Sequence, residues 1–448
     1  MKDPETIVIG AGAAGLAAAR MLSDAGRTVV VLEARPRIGG RILTVHDREW
    51  PLPVELGAEF LHGEAEATRE ITGRAGLAVV ELPDEHVWVD DGRIRPMGEV
   101  WTQLGKVLRK IDIRGADVSF ERFLARHRVP RPMRAVARQF VEGYYAAHLD
   151  RISAHSLGSG ADEMDEPQRQ YRLADGYFGV VEWLRAGLDP ERAQVRLGCV
   201  VDEVRWRRGH VTATYRSAAG GRPKTVEARS AVVTLPLGVL KAREGEAGAV
   251  RFDPVPRAVR DALDRLEVGQ VCKVVLRFRE PFWDDPDFFR RRAVRKRAIE
   301  PTRIDFLHDR TGDFPTWWAA RPWQAPVMTA WAGGPRADAL ADLGETALLD
   351  RALGGLARLL DLPRARLDDQ LESWRTHDWR RDPRSRGAYS YVGVGGLPAQ
   401  RALARPILAT LHFAGEATEP EEMGTVAGAL ASGRRAAQRI LKSPARSR

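Results

Sequence analysis

Residues 5–20 constrain this chain most: Glu-Thr-Ile-Val-Ile-Gly-Ala-Gly-Ala-Ala-Gly-Leu-Ala-Ala-Ala-Arg. An apolar run of strand length opens through Gly10-x-Gly12-x-x-Gly15 into an alanine-rich helix. In this pattern Gly10 permits the tight turn out of the strand. Gly12 lets the backbone approach a pyrophosphate, and Gly15 lets helix and strand pack closely. The helix then presents free N–H groups and a partial positive charge to a phosphate pair. A second apolar run, Thr28–Leu32, ends at Glu33, where a carboxylate is suited to hold a ribose hydroxyl. Strand, glycines, helix, strand and terminal Glu in this order predict a dinucleotide site, not an isolated tight turn.

The chain has 448 residues, 44 % of them apolar, enough for two or three domains with sizeable cores. It holds two cysteines, Cys199 and Cys272, so a disulfide framework is not expected and the compartment reads as reducing. The first strand begins within six residues, leaving no room for a signal peptide, and no run of 18 apolar residues appears. A cytoplasmic protein is expected. The net charge of +9 suggests nucleic acid at first sight, yet only eight of the 70 basic residues are lysines. An arginine excess of that kind reads as a codon bias of the source. The densest run, Arg290–Arg297, has no zinc spacing or recognition helix beside it, so it is read as a solvated loop and no nucleic-acid partner is expected. No metal ligand set is expected either.

Along the chain, residues 65–80 read as a helix and 86–94 as a hairpin turning at Asp91-Gly92. From Trp101 to Leu149 the apolar spacing is mostly helical, with a helix start marked by Pro130 and Pro132. Residues 171–177 lead into another helix. The chain then turns β, with Cys199–Arg207 and Val211–Tyr215 paired about Gly209 and a buried-type strand at 230–236. Near the C-terminus, residues 407–418 read as strand, Gly415-Glu416 and loop. A final helix follows Gly424-Thr425, with small residues for close packing. Its N-terminus could hold negative charge on a ligand by the same dipole argument.

Directly after the ribose carboxylate comes Ala34-Arg35-Pro36-Arg37-Ile38-Gly39-Gly40-Arg41, an extension that a nicotinamide site does not need. It resembles the second phosphate loop of the FAD-binding amine oxidase superfamily, whose Gly-Gly-Arg arginine contacts the pyrophosphate. Further matches occur in order at 56–63 (Leu-Gly-Ala-Glu-Phe-Leu-His-Gly), at 233–241, at Lys273, at Phe282-Trp283, from Trp379 to Ser390, and at Phe413–Glu416. Together they make the chain similar to flavin-containing amine oxidases over essentially its whole length, and closest in motif to polyamine oxidases.

The resemblance implies an α/β fold: a Rossmann-like FAD-binding domain with a second, α+β substrate-binding domain. The FAD domain would be assembled from 1–80, 190–245 and 405–448, and the substrate domain from 81–189 and 246–404. FAD would be held by Gly10, Gly12, Ala14 and Gly15, by Glu33, Ala34 and Arg35, and by Gly39, Gly40 and Arg41. Gly57 and Ala58, Val200 and Val201, and Trp379, Gly415, Glu416, Thr425 and Val426 would complete its site. Lys273 matches the family lysine that holds a water at flavin N5. Read alone, a lysine in such a strand guards an exposed edge; in this role it would be buried, which favours the neutral amine. Tyr389 would form one wall of an aromatic sandwich, with Trp379 along the flavin edge and Thr425 where the second tyrosine stands in monoamine oxidases. Ala388 occupies the position where those enzymes attach FAD through a cysteine, so the flavin is expected to be non-covalent. His62 would contact the amine. Glu419, Glu421 and Glu422 could form an acidic mouth, although solvated loop charges are the plainer reading.

The implied reaction oxidises a primary or secondary amine, polyamine-like by preference, to an imine that hydrolyses, with O₂ becoming H₂O₂. An L-amino-acid oxidase, or a carotenoid-desaturase or protoporphyrinogen-oxidase type, would share the FAD motifs. The latter pair would have no use for Lys273 or Tyr389. A flavin-bound interaction protein is the alternative of another class. The sequence does not specify the oligomeric state.

Overall fold

The computed structural model describes residues 4–83, 85–161, 169–293 and 304–443. Its first organising element is a five-stranded parallel sheet. The order is Ala193–Arg196, Val29–Leu32, Thr6–Ile9, Ser230–Val233, Leu411–Phe413. Three stretches widely separated in sequence therefore close one sheet. The short strands at 6–9, 29–32 and 230–233 are buried at every residue, as a parallel sheet covered on both faces requires. Val8, Val31 and Val232 face helices Ala13–Asp24 and Val426–Lys442. Ile7, Ile9, Val30 and Leu32 face the other way, onto antiparallel strands Cys199–Arg207 and His210–Ser217. The first and last helices touch backbone to backbone: a Cβ on Gly433 would lie 2.1 Å from the Ala14 carbonyl oxygen.

A seven-stranded sheet forms the second layer system. Its order is Leu371–Thr376, Val271–Phe278, Val327–Gly333, Thr316–Ala319, Ile304–His308, Glu85–Asp90, Arg93–Pro96. Val274, Leu276 and Phe278 pack toward helix Glu345–Leu360 through Leu348, Leu353 and Leu356. Because side chains alternate along a strand, Lys273 and Val275 face the opposite way, Val275 toward Val54 and Leu56 and Lys273 toward the cavity described below. The last two strands form the expected hairpin, with Asp91 at φ 44° and Gly92 at φ 72° in its turn. Helices Val100–Leu108, Phe120–Arg126 and Arg131–Tyr144 supply the helical stretch read between Trp101 and Leu149 and share their own core around Leu104, Phe120 and Val141.

The helix read over 65–80 is shorter than expected. It covers Glu66–Ala75 and stops at Gly76, whose φ of 66° breaks the helical run. Val79–Glu81 is instead a strand paired with Gln170–Leu173. The start of the arginine run is not the expected loop: Arg290–Arg292 form the last turn of helix Pro286–Arg292, where Arg290 pairs with Asp287, Arg291 with Asp285, and Arg292 donates to the Leu360 carbonyl. Residues 294–297 lie outside the described residues. Both cysteines are free thiols. Among the described residues no helix is long and apolar enough to cross a membrane.

Candidate active site

One cavity of about 1890 Å³ runs from the glycine loops of the parallel sheet to the second sheet. Every residue named above for cofactor or substrate lines it with the exception of Gly15, and of the three carboxylates of the acidic mouth Glu419 does not. The exception of Gly15 has a steric cause. A Cβ on Gly15 would sit 1.9 Å from the Gly10 carbonyl oxygen, so this glycine serves strand–helix packing beneath the cavity floor. Gly10 itself has φ 106°, a conformation that side chains other than hydrogen rarely adopt.

At the floor, a Cβ on Gly12 would meet only the Gly39 carbonyl, 3.9 Å away, and the helix that starts at Ala13 has no side-chain cap. Its first N–H groups are thus left for a ligand. The second loop is tied beneath it by the Gly39 N–H to the Ala11 carbonyl, 2.9 Å. Arg37, not singled out from sequence, holds that loop by donating to the carbonyls of Ile38, Gly40 and Ile42 at 2.9–3.1 Å. The buried Glu33 carboxylate accepts from Ala11 N at 2.7 Å and from Arg35 N at 2.9 Å. A carboxylate offers about four acceptor positions, so room remains for ribose hydroxyls.

Two arginines there already hold protein partners. Arg35 donates to Asp382 (2.6 Å) and to Ser385 Oγ (2.9 Å), fastening the first segment to the loop that carries Trp379 and Tyr389. Asp382 is half-buried, and the loss of solvent raises a carboxyl. Hydrogen bonds from His377 and Arg35 and the Arg35 charge more than offset this and hold it well below the usual range. Arg41 donates to the Ala388 carbonyl at 2.6 Å and to Glu416 at 2.8 Å while still lining the cavity.

Toward the second sheet, Lys273 is 3 % exposed on a strand with a partner on each side, so it guards no edge. The burial comes with a counter-charge that the sequence reading lacked. Lys273 Nζ lies 2.6 Å from Glu59 Oε2 and 5.7 Å from the Trp318 ring centre. The other Glu59 oxygen accepts from Trp318 Nε1 at 3.0 Å and pairs with Arg172 at 3.1 Å. Burial pushes the Glu59 carboxyl up, but the Lys273 and Arg172 charges outweigh it and hold the group below its ordinary value. Glu59 was visible in its motif, but Arg172 and Trp318 carried no signal of their own. The four residues come from separate strands and loops.

Around the cavity's other wall, the Tyr389 hydroxyl donates to the Tyr144 carbonyl at 2.9 Å, and burial raises its phenol well above the ordinary value. Tyr144 stacks on Phe140 at 5.4 Å and meets the edge of His62 at 5.6 Å. Trp379 is buried, its Nε1 donating to the Leu56 carbonyl at 2.9 Å and its ring against His377. Thr425 is the N-cap of the last helix: its Oγ1 accepts from Gly428 N at 2.9 Å and donates to the Glu422 carbonyl at 2.7 Å. Glu419 is paired with Arg435, so the acidic mouth reduces to Glu421 and Glu422 at the cavity wall. Burial and the neighbouring charges of Glu419 and Glu421 raise the Glu422 carboxyl.

Glycine loops for a dinucleotide, a buried lysine and an aromatic wall on one cavity define a flavoprotein oxidoreductase architecture. Residues 13–441 match the model of the family described as flavin containing amine oxidoreductase. This chain belongs to that family, and it is an enzyme of flavin-dependent amine oxidation. It is 31 % identical to polyamine oxidase 3 of Oryza sativa subsp. japonica over 468 residues, covering 97 % of this chain and 88 % of that one. It is 30 % identical to polyamine oxidase 2 of Arabidopsis thaliana, covering 98 % and 88 %. It is also 30 % identical to lysine-specific histone demethylase 1 homolog 3 of Arabidopsis thaliana, of which the match covers 30 %. The fold is shared with putrescine oxidase solved bound to putrescine, at TM-score 0.79 and 21 % identity over 98 % of this chain and 99 % of that one. The alternative substrate classes are not favoured by these matches.

Proposed function

We propose that this enzyme oxidises a polyamine-like amine with non-covalently bound FAD, and that the observation carrying this reading is the buried Lys273 on the same cavity as the glycine loops. The residues suit FAD: the space at Gly12, the uncapped helix N-terminus and the spare acceptors of Glu33 match a pyrophosphate and a ribose. The cavity volume is roughly twice the ~1,000 Å³ upper range of ordinary ligand sites, which leaves room for substrate beside a large cofactor. FAD, when bound, supplies the hydride acceptor and the route for electrons to O₂.

The remaining work falls to the chain. Gly10, Gly12, Ala14, Glu33, Ala34, Arg35, Gly39, Gly40 and Arg41 form the phosphate and ribose end, with Val200 and Val201 beside it. Gly57, Ala58, Gly415, Glu416, Thr425 and Val426 shape the floor at the reacting end. The last helix adds a favourable dipole there. The division into an FAD domain of 1–80, 190–245 and 405–448 and a substrate domain of 81–189 and 246–404 is part of the same reading. Ala388 on the cavity wall offers no thiol for attachment.

An alkylammonium with pKa ~10 must lose a proton before a hydride can leave, which costs about 4 kcal/mol at pH 7. The aromatic lining of Tyr389, Tyr144, Phe140 and His62 accommodates the alkyl chain and favours the neutral amine. Lys273, fixed by Glu59, holds the water that hydrolyses the imine or assists O₂. The free thiols are consistent with a reducing, cytoplasmic setting. The test is H₂O₂ release from a panel of di- and polyamines, monoamines, amino acids and tetrapyrroles. Highest kcat/KM for a polyamine or diamine is expected, and an amino acid or tetrapyrrole as best substrate overturns the reading.

A further inference from the structure

Behind Glu59 lies a second, small cavity of about 60 Å³. Glu59 and Trp318 line both cavities and form the wall between them, whereas Glu55 lines only the small one. A space of this size admits several waters, since one needs roughly 10–15 Å³ of such volume. Its walls are polar enough to keep them. Arg172 and Trp50 both line it, and Arg172 Nε and Trp50 Nε1 are buried donors with no partner among the described residues. Buried polar atoms in that condition point to bound water. Glu55 and Glu59 thus line one small space suited to water, and Glu59 is bonded directly to Lys273.

From this geometry we propose that the small cavity is a proton store, with Glu55 taking up, through water and Glu59, the proton that the substrate ammonium releases. This rests on the amine-oxidase reading given above. The balance closes. An ammonium that becomes an iminium loses one proton and one hydride: the N–H bond breaks and an O–H bond forms on Glu55. O₂ needs the two electrons and proton of the hydride plus one further proton to become H₂O₂, and Glu55 returns that proton. No net proton need cross to solvent in a full cycle.

The surroundings of Glu55 fit a group that changes charge. Burial pushes its carboxyl up to about 7, although Tyr177 N, the Thr44 hydroxyl and the Lys273 charge pull it down and Glu59 adds to the rise. Tyr177 N donates at 2.5 Å and Thr44 Oγ1 at 2.8 Å, so the carboxylate stays in place in either state. The charged or titratable groups facing it are Lys273, Glu59, Arg172 and the Tyr177 phenol.

Difference infrared spectroscopy of the holoenzyme, reduced anaerobically with putrescine near pH 7.5, tests this directly, with a pH-indicator dye counting protons in parallel. Wild type should gain a protonated-carboxyl C=O band and release well under one proton per amine oxidised. Glu55→Gln should lose the band and release a full proton. Glu55→Asp, which keeps the bond to Thr44 within reach, should shift the band if Glu55→Gln fails to fold. The resting wild-type band should also titrate near neutrality. A full proton in solution from wild type, or a band that neither variant moves, overturns the store while leaving amine oxidation intact. Absence of any reduction by amines would instead defeat the functional reading.

Discussion

Lys273 and Glu59 hold each other at 2.6 Å in a site that also contains Arg172, and this arrangement makes single substitutions informative. Lys273→Met removes the amine while Arg172 still balances Glu59, so the variant should fold and bind flavin. Amine-dependent reduction or reoxidation by O₂ should slow by roughly 10²-fold or more, within the range for positioned proton-transfer groups. Stopped-flow absorbance separates the two half-reactions, and wild-type rates in both would remove Lys273 from the chemistry. At the cavity's other end Glu33→Ala removes the proposed ribose acceptor and leaves Ala11 N and Arg35 N without their partner. Flavin occupancy after dilution should fall, by the roughly 1.5–3 kcal/mol of a charged hydrogen bond. Arg41→Ala should also lower it, and full flavin retained by both variants would refute the assigned cofactor geometry.

Among the elements, the outer strand Leu411–Phe413 carries a buried histidine in the parallel sheet. Burial lowers the His412 pKa to about 4, below the ~6.5 of an unfolded chain. The unfolded state therefore binds a proton that the folded state refuses. The stability present above pH ~6.5 is lost as pH falls from there toward 4. The loss amounts to about 3 kcal/mol at 1.36 kcal/mol per unit. His412→Gln should have a shallower acid limb, measured as chemical denaturation midpoints between pH 7 and 4. Parallel curves for variant and wild type would show that another group causes the loss. The last helix follows from its own residues in a different way. Thr425 caps it and Gly433 lets it touch the first helix, so its position depends on small size as much as on apolar area.

The whole molecule is two sheet systems closed over the large cavity, joined where Arg35 grips Asp382 and where Arg41 donates to the Ala388 carbonyl. Acid or heat denaturation should release all flavin as free FAD, because Ala388 supplies no attachment atom and no cysteine other than Cys199 and Cys272 exists in the chain. Chromatography of the precipitate and supernatant decides this. Flavin that stays with the protein would contradict non-covalent binding.

The opening strand, its glycines and Glu33 were determined by sequence alone, because they are local: a turn at Gly10 and packing at Gly15 leave no choice of residue. The same holds for the Asp91-Gly92 hairpin and the cap at Thr425. Helix Glu66–Ala75 ends at Gly76, a local stop, but that the chain beyond it becomes a strand depends on pairing with Gln170–Leu173. The pairing of Lys273 with Glu59, Arg172 and Trp318 was decided only by tertiary structure, as was the place of Glu55 behind them. Glu55 and Glu59 share one short motif, but Arg172, Lys273 and Trp318 lie tens to hundreds of positions from it and from one another, and the charge states depend on shared burial and mutual Coulomb fields that no single stretch of chain contains.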